Sequence, residues 1–254
     1  MRPAPSEQAR PDGAAARVTR LAGTLPRAIL LALVLSLYAC AVTDPAGNTP
    51  LILAAWSGDA EKVDRLIRSG GADVNAANRY GLTALMASTS GKTGTGDVEI
   101  ARALIAAGAN VNAANSAGRT ALMEVAGSGN VEFVRLLLEA GADVNARLAD
   151  GGTSLHAAAL NNRKEIVRAL LDKGAKPNVA NSLGQTPLML ACTCAGTSEM
   201  CRARPEIVKM LIAAGADASA KDTGGRTASG YVSGGTKAER EEVQQILRDA
   251  GASK

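Results

Sequence analysis

The sequence of 254 residues is poor in aromatic side chains and in histidine. Phe, Trp and Tyr make up 2% of the chain, and there is one histidine, His156. A metal site of the His-rich type therefore cannot form, and the sequence shows no cluster of convergent ionisable groups of the kind that an active site requires. We expect no enzymatic activity and no bound metal or cofactor. With four cysteines, the chain is also not a disulfide-dense mini-fold.

An excess of positive charge is missing from most of the chain. The formal net charge is +4, and residues 1–27 alone carry five arginines against Glu7 and Asp12, a balance of +3. The rest of the chain therefore has a net charge of +1 and no basic stripe. Binding to nucleic-acid phosphates depends on such a stripe, so we expect no nucleic-acid partner.

An uncharged apolar run, 28–38, follows the basic stretch and ends beside Ala39 and Cys40. A basic segment, a short apolar segment and a small-residue processing site are the three parts of a secretory signal. The run is shorter than the roughly 20 residues that a membrane-spanning helix needs. We interpret 1–39 as a removable signal peptide and 40–43 as a short tether. The alternatives are an uncleaved signal anchor and ordinary cleavage beside an incidental cysteine.

The residues Leu37-Tyr38-Ala39-Cys40 resemble the lipobox of bacterial lipoproteins, in which a Leu stands three positions before the modified Cys. This resemblance implies that Cys40 is the first residue of the mature protein and carries acyl chains, which hold a protein firmly when there are several. Ala41 stands where an Asp would, by the same resemblance, retain the protein at the inner membrane. The expected location is the periplasmic face of the outer membrane.

A Gly-x-Thr pattern recurs six times in the remaining chain. Its members are Gly47/Thr49, Gly81/Thr83, Gly118/Thr120, Gly151/Thr153, Gly184/Thr186 and Gly225/Thr227. The threonines are separated by 34, 37, 33, 33 and 41 residues, which indicates a unit of 33 with insertions. Each Thr can cap a short helix, and a second apolar stripe then ends at a glycine suited to a left-handed C-cap. The pattern predicts helix, turn, helix and projecting hairpin in each unit.

These repeated residues resemble the ankyrin repeat family, whose unit carries G-x-T-P-L-H-x-A-A and then V-x-x-L-L-x-x-G-A-D-x-N. Thr-Ser-Leu-His at 153–156 and Gly-Ala-Asp-Val-Asn at 141–145 are representative matches. The resemblance implies an all-α ankyrin-repeat solenoid of six stacked helix-turn-helix units joined by β-hairpin loops, with the sixth unit as a polar cap. The expected units span 44–77, 78–114, 115–147, 148–180, 181–221 and 222–254.

Two features that could carry chemistry have structural interpretations. His156 stands at the family's T-P-L-H position, which implies a buried side chain whose hydrogen bonds tie adjacent hairpins. Gly91-Lys92-Thr93 is similar to the end of a phosphate-binding loop, but Met86 stands where that loop needs a glycine. We interpret 91–96 as an insertion between paired helices, without a nucleotide.

Three further cysteines follow, and two of them lie in the insertion of the fifth unit. Cys192 aligns with small core residues of other units, which predicts a buried free thiol. Turn residues at 195–200 can bring Cys194 and Cys201 together, and the periplasm permits disulfides. We predict a Cys194–Cys201 disulfide. The competing Cys192–Cys201 pairing would displace a core residue, and Cys192–Cys194 would be strained.

In the ankyrin family, partners bind the hairpin tips and the concave face of the first helices, at variable positions. Exposed aromatic and Arg side chains supply most of the anchoring energy at interfaces. Trp56, Arg79 and Tyr80 are therefore the strongest candidates, although Trp56 equally suits a cap of the exposed first unit. The resemblance adds the variable positions Arg119, Leu160, Asn161, Leu183 and Gln185.

Taken together, the features predict a monomeric, membrane-anchored periplasmic scaffold or adaptor that binds another protein. The alternative is an immunity-type inhibitor of a toxin that acts in the periplasm, a role that some exported ankyrin proteins resemble. A neighbouring gene that encodes a toxin would favour the alternative.

Overall fold

The computed structural model describes residues 44–90, 96–193 and 204–252, which form successive pairs of short helices. The first members of the pairs, the inner helices, are α1 (Pro50–Ser57), α3 (Ala84–Ser88), α5 (Ala121–Ser128), α7 (Ser154–Leu160) and α9 (Pro187–Cys192). The second members, the outer helices, are α2 (Ala60–Arg68), α4 (Val98–Ala106), α6 (Val131–Glu139), α8 (Lys164–Asp172) and α10 (Pro205–Ala213). A 3-10 helix (Ala228–Tyr231) and α11 (Lys237–Ala252) follow. Inner helices pack on inner helices and outer helices on outer helices, so the pairs stack in chain order.

A threonine precedes each inner helix because its hydroxyl can replace a missing backbone partner. The Oγ1 atoms of Thr49, Thr83 and Thr186 accept hydrogen bonds from the backbone N–H three residues later, at 3.2, 3.3 and 3.5 Å. The predicted caps are confirmed in these units. The buried Thr120 hydroxyl differs, since it has no hydrogen bond within the described residues.

The outer helices end at glycines, and an asparagine shortly afterwards links each unit to the next. Gly108, with φ of 89°, represents the predicted left-handed C-caps. Asn75 Nδ2 donates to the Gly108 carbonyl at 3.1 Å, and Asn75 Oδ1 accepts from the Asn110 N–H at 2.7 Å. The same two bonds recur at Asn112, Asn145 and Asn178.

The connections between the pairs are tight turns, and the β-hairpin detail predicted for them is not confirmed in the described residues. In the described ranges, strand pairing is limited to two isolated antiparallel bridges, Ala77–Thr83 and Ala114–Thr120. The reason is that an Asn side chain takes the donors that a strand ladder would use. Asn78 Oδ1 accepts from the N–H groups of Tyr80 and Leu82, at 2.9 and 3.0 Å.

Backbone hydrogen bonds also join neighbouring turn tips, and they position the side chains there. The Ser116 N–H donates to the Tyr80 carbonyl at 2.9 Å, and the Thr223 N–H donates to the Leu183 carbonyl at 3.0 Å. Because the backbone of each tip is held by the next unit, the tip side chains project from a fixed frame.

Small and aliphatic side chains form one continuous core along the stacked helices. Ala55, Ala126 and Ala159, at matching positions of three inner helices, are fully buried and let the helices approach closely. Cys192 stands at the same position and is 5% exposed, which confirms its predicted burial. No helix in the described part of the chain is both long and apolar enough to cross a bilayer.

Candidate protein-binding face

The accessible residues of the inner helices and the turn tips before them form one surface, which we call the inner face. The large exposed apolar side chains of the described residues are Trp56, Tyr80 and Leu183, with 54%, 56% and 58% of their surface accessible. Trp56 lies in the last turn of α1, and the other two are turn tips, so all three belong to the inner face. Single exposed apolar residues are common, but their restriction to one face indicates a binding surface.

The turn tip at Arg79 and Tyr80 carries a cation beside an aromatic ring. The Arg79 guanidinium lies over the Tyr80 ring, 5.5 Å from its centroid. The Arg79 N–H donates to the Ala46 carbonyl at 3.3 Å, which places this tip beside the first residues of the array. Both predicted side chains are exposed, as a contact with a partner requires.

Arg119 also lies on the inner face, but it is already paired. Its Nε lies 3.3 Å from Oε1 of Glu124, and both side chains remain partly accessible. The pair borders a depression of about 70 Å³ that Leu82 and Met86 also line. Glu124 was missed by our sequence reasoning. The 33-residue register contains the signal, because the matching positions are Leu53, Ala87, Ala157 and Leu190.

Of the remaining predicted contact residues, Gln185 has a structural role. Its Nε2 donates to the Tyr231 hydroxyl at 3.0 Å, and its Oε1 accepts from Asn181 at 3.1 Å. Asn161 is exposed and donates to a carbonyl of its own helix. Leu160 is half-buried at the end of α7. Leu160 and Asn161 therefore remain available at the inner face, whereas the polar atoms of Gln185 are engaged inside the protein.

His156 has the buried, bridging role that the family position implied. It is 4% exposed, and its Nδ1 accepts from the Thr153 N–H at 3.1 Å. Nε2 therefore carries the proton and donates to the Gln185 carbonyl of the next unit, at 3.1 Å. Burial lowers the pKa of His156, so the imidazole is neutral at pH 7. A neutral side chain with both nitrogens bonded serves stacking and has no free atom for catalysis.

Arg204 is a buried cation that the sequence did not single out. It is 6% exposed, and its Nη1 donates to the carbonyls of Ala159 and Leu160 at 2.7 and 2.5 Å. These carbonyls are at the end of α7, where unpaired acceptors and the helix dipole favour a positive charge. Arg204 also lies near Cys192, but burial raises the pKa of that thiol to about 12. Cys192 is therefore a protonated core residue.

The other predicted sites on cysteines, Cys40, Cys194 and Cys201, lie outside the described residues. In the described ranges, no group of three or more His, Cys, Asp or Glu residues is arranged to hold a metal ion. A groove of about 610 Å³ lies between the outer helices α6 and α8. Its charged lining mixes both signs, as in Arg135, Glu139, Arg168 and Asp172, and so shows no preference for an ion of one sign.

Comparison with known proteins agrees with this architecture. The family model described as ankyrin repeats (3 copies) matches the chain at 23–115, 51–148, 92–181 and 143–222. Among the curated proteins, none matches the chain. The crystal structure of EF0377, an ankyrin repeat protein, is similar at a TM-score of 0.66 and 29% sequence identity, and the similarity covers 78% of this chain and 96% of that one. The overlapping family matches extend over well more than half of the sequence, and the chain belongs to the ankyrin repeat family.

Proposed function

We propose that this chain is a scaffold or adaptor that binds another protein on its inner face. Ankyrin repeats generally mediate protein–protein interaction and are typically not enzymes. The observation that carries the proposal is the restriction of Trp56, Tyr80 and Leu183 to the inner face, with more than half of each side chain accessible. Large side chains of this kind anchor partners when they are buried in a complex.

The side chains of the inner face change from apolar to charged and back to apolar along the array. This order indicates the chemistry of a complementary partner surface. Apolar side chains, Trp56 in the first unit and Leu183 in the fifth, lie on either side of the Arg119–Glu124 ion pair. A complementary partner has two apolar contact regions separated by a polar, charged one. Because the ion pair is accessible to water, it contributes orientation more than affinity.

The proposal includes the architecture and location that the sequence predicts. The protein has six units, counted from the six Gly-x-Thr patterns, and acyl chains on Cys40 hold it at the periplasmic face of a bacterial membrane. Cys40→Ser should release the protein from membranes or leave it unprocessed. Unchanged detergent partitioning together with an unchanged mature mass would contradict the anchor.

The disulfide in the fifth unit is part of the same proposal. An oxidising periplasm permits a bond between Cys194 and Cys201, while Cys192 is buried in the core. Peptide mapping of the periplasmic protein under non-reducing conditions should recover the two cysteines as one linked pair. Free alkylation of both would exclude the bridge.

Site-specific photo-crosslinking in the native bacterium tests the inner face. A crosslinking amino acid at Trp56 or Leu183 should capture the partner, whereas the same amino acid at Arg65 or Lys173, exposed on the outer-helix side, should not. Capture only from the outer positions, or from none, would contradict the assignment. The identity of the captured protein separates the two roles, because a periplasm-acting toxin would indicate the immunity-type inhibitor.

A further inference from the structure

We propose that an α-helix of the partner protein packs directly against Gly127, on the inner face of the third unit. This inference rests on the proposed function, because it places one element of the partner on the surface already assigned to protein binding. It makes Gly127 a specificity-determining residue, which accepts the helix because it has no side chain. Three observations support it: a glycine that the fold does not need, its place on the inner face, and the hydrogen bonds around it.

Nothing in the fold requires a glycine at position 127. The residue lies inside α5 with a helical backbone, so no left-handed conformation is involved. A Cβ added there would lie 3.6 Å from Asn161 Nδ2 and 3.9 Å from Ala157 Cβ, which are ordinary contact distances. Gly129 is different, since its φ is 102° and an added Cβ would lie 2.8 Å from Cζ of Arg163. Because glycine destabilises a helix relative to alanine, Gly127 lowers the stability of α5 without a structural return.

The position of Gly127 in the repeat belongs to the inner face. The matching residues of the other helix pairs are Trp56, Ser90, Leu160 and Thr193, which all have side chains. Trp56 is 54% accessible and Leu160 is half-buried, so this row of residues borders the space that a partner occupies. Gly127 is itself partly accessible. The row of side chains is therefore interrupted in the third unit, and the backbone of α5 is open to direct contact there.

Hydrogen bonds around Gly127 favour a helix over an extended segment. The Gly127 carbonyl accepts from Arg163 Nε at 3.1 Å, and Asn161 Nδ2 donates to the Ala157 carbonyl at 2.9 Å. The Ser128 hydroxyl donates to a carbonyl one turn earlier, at 3.2 Å. An extended segment on this surface would leave its backbone groups without partners, whereas a helix bonds these groups internally. Two helices approach most closely, with axes about 8 Å apart, where the residues in contact are small.

The neighbouring side chains indicate the chemistry of the partner helix. Glu124 lies three residues before Gly127, on the same face of α5, and is paired with Arg119. Leu160 lies beside Gly127 in the next unit. The partner helix therefore has a small or apolar residue against Gly127 and a polar residue, one turn away, against the ion pair.

Photo-crosslinking in the native bacterium, with the crosslinking amino acid at Leu183, measures what Gly127 contributes to binding. Gly127→Ala should lower capture of the partner roughly tenfold, because an added methyl group overfills a closely packed contact, and Gly127→Leu should abolish capture. In the purified protein, Gly127→Ala should raise the urea midpoint measured by circular dichroism. A residue with only a structural role would not change binding and stability in opposite directions.

Two variants are matched controls. Gly251→Ala changes the other glycine of the described α-helices, where an added Cβ meets nothing within 4 Å. Ala106→Leu adds bulk at an exposed position of the outer helix α4. Both should leave capture at Leu183 unchanged.

The conformation of the bound segment is tested by a crosslinking amino acid at Ser128. Mass spectrometry of the captured protein should find attachment points that are three, four or seven positions apart, as on one face of a helix. Attachment points two positions apart would assign an extended segment and overturn the helix.

The outcomes distinguish this inference from the proposed function. Capture at Leu183 that is unchanged by Gly127→Ala and by Gly127→Leu overturns the helix contact and leaves the inner face as the binding surface. A lower urea midpoint in Gly127→Ala shows that the fold requires the glycine, and this also overturns the inference. Absence of capture at both Trp56 and Leu183 in the otherwise unchanged protein contradicts the proposed function and the helix contact together.

Discussion

The first three outer helices and the last two start differently, although they occupy the same place in the repeat. The carboxylates of Asp59 and Asp97 and the amide oxygen of Asn130 accept from the backbone N–H three residues later, at 2.9, 3.0 and 3.0 Å. Arg163 and Arg204 replace them in α8 and α10 and make no such cap. A capping acceptor stabilises its own helix, whereas an arginine has no acceptor atom to offer.

The two arginines bind the preceding unit instead. Arg163 Nε donates to the Gly127 carbonyl at 3.1 Å, and Arg204 donates to the two carbonyls that end α7. Each arginine thus satisfies acceptors at the end of the inner helix one unit earlier. In a stacked array, stability is approximately a sum of unit terms and interface terms. At this position, the residues of the first three units stabilise their own outer helix. The arginines of the fourth and fifth units stabilise the interface with the preceding unit.

His156 adds one polar bond between units at a second position of the repeat. Its Nε2–H donates across the interface to Gln185, while the matching residues of the other helix pairs, Ile52, Met86, Met123 and Met189, are apolar. The polar bonds across unit boundaries at these two positions are therefore features of the C-terminal half. The comparison predicts that substitutions in the two halves affect unfolding in different ways.

Arg204→Ala should give the largest effect. It removes two charge-assisted hydrogen bonds and leaves the Leu160 carbonyl without a partner, while the Ala159 carbonyl keeps the Asn162 N–H, at a cost of about 3 kcal/mol. Because the loss falls on an interface, the C-terminal units should unfold at lower urea than the first unit. Far-ultraviolet circular dichroism reports all the helices, and fluorescence of Trp56 reports the first unit. We expect the urea midpoint measured by dichroism to fall and the midpoint measured by fluorescence to stay unchanged.

Coincident shifts of both signals would contradict this uncoupling. The matched control is Asp59→Ala, because Asp59 lies in the same unit as Trp56. It removes an ordinary cap and should move the fluorescence transition.

His156→Ala should have the next largest effect, about 2 kcal/mol, because the Thr153 N–H loses its partner and the Gln185 carbonyl keeps only the Asn181 N–H. The wild-type protein should also become less stable in mild acid. Burial lowers the pKa of His156 below its ordinary 6.5, so the unfolded chain binds the proton more readily. This stabilisation is complete above pH 6.5 and is lost as the pH falls towards the lowered pKa.

His156→Met separates the bond from the titration. It gives the fourth unit the residue found at Met86 and Met123, and it should cost less than His156→Ala because the cavity is filled. Urea unfolding at pH 7.5 and at pH 5.5, compared between wild type and variant, measures the effect. A wild-type stability that does not change over this interval, or an equal change in the Met variant, would contradict the role of His156.

Features that depend on the local repeat pattern could be predicted from the sequence. Hydrogen bonds of side chains to a neighbouring unit could not. The Gly-x-Thr period predicted the helix pairs, the glycine C-caps and the burial of Cys192. Arg163 and Arg204 were not identified, because their acceptors lie 36 and 44 to 45 residues away along the chain. The bond from Gln185 to Tyr231 was not identified for the same reason, since the two residues lie 46 positions apart. The β-hairpin detail is not confirmed in the described residues, where the Asn78 side chain accepts from backbone N–H groups of its own turn.

Arg163→Ala should cost less than Arg204→Ala, about 1.5 kcal/mol, since the side chain is half-buried and makes one bond to the preceding unit. The affected interface joins the third and fourth units. The urea midpoint measured by dichroism should again fall while the fluorescence midpoint stays unchanged, and the fall should be smaller than for Arg204→Ala. An effect as large as that of Arg204→Ala would show that burial of the guanidinium does not determine its contribution.

Asp97→Ala should have the smallest effect, about 1 kcal/mol, because it removes the cap of α4 and leaves the neighbouring interfaces intact. A cap contributes to one unit and a bridging arginine to one interface, so the two losses have no shared partner. The free energies of unfolding of Asp97→Ala and Arg204→Ala should therefore add in the double variant to within about 0.5 kcal/mol. Asp97→Asn keeps the acceptor and should restore most of the loss. A double variant that departs clearly from additivity would mean that the halves are coupled through the stack, and that units and interfaces do not contribute separately.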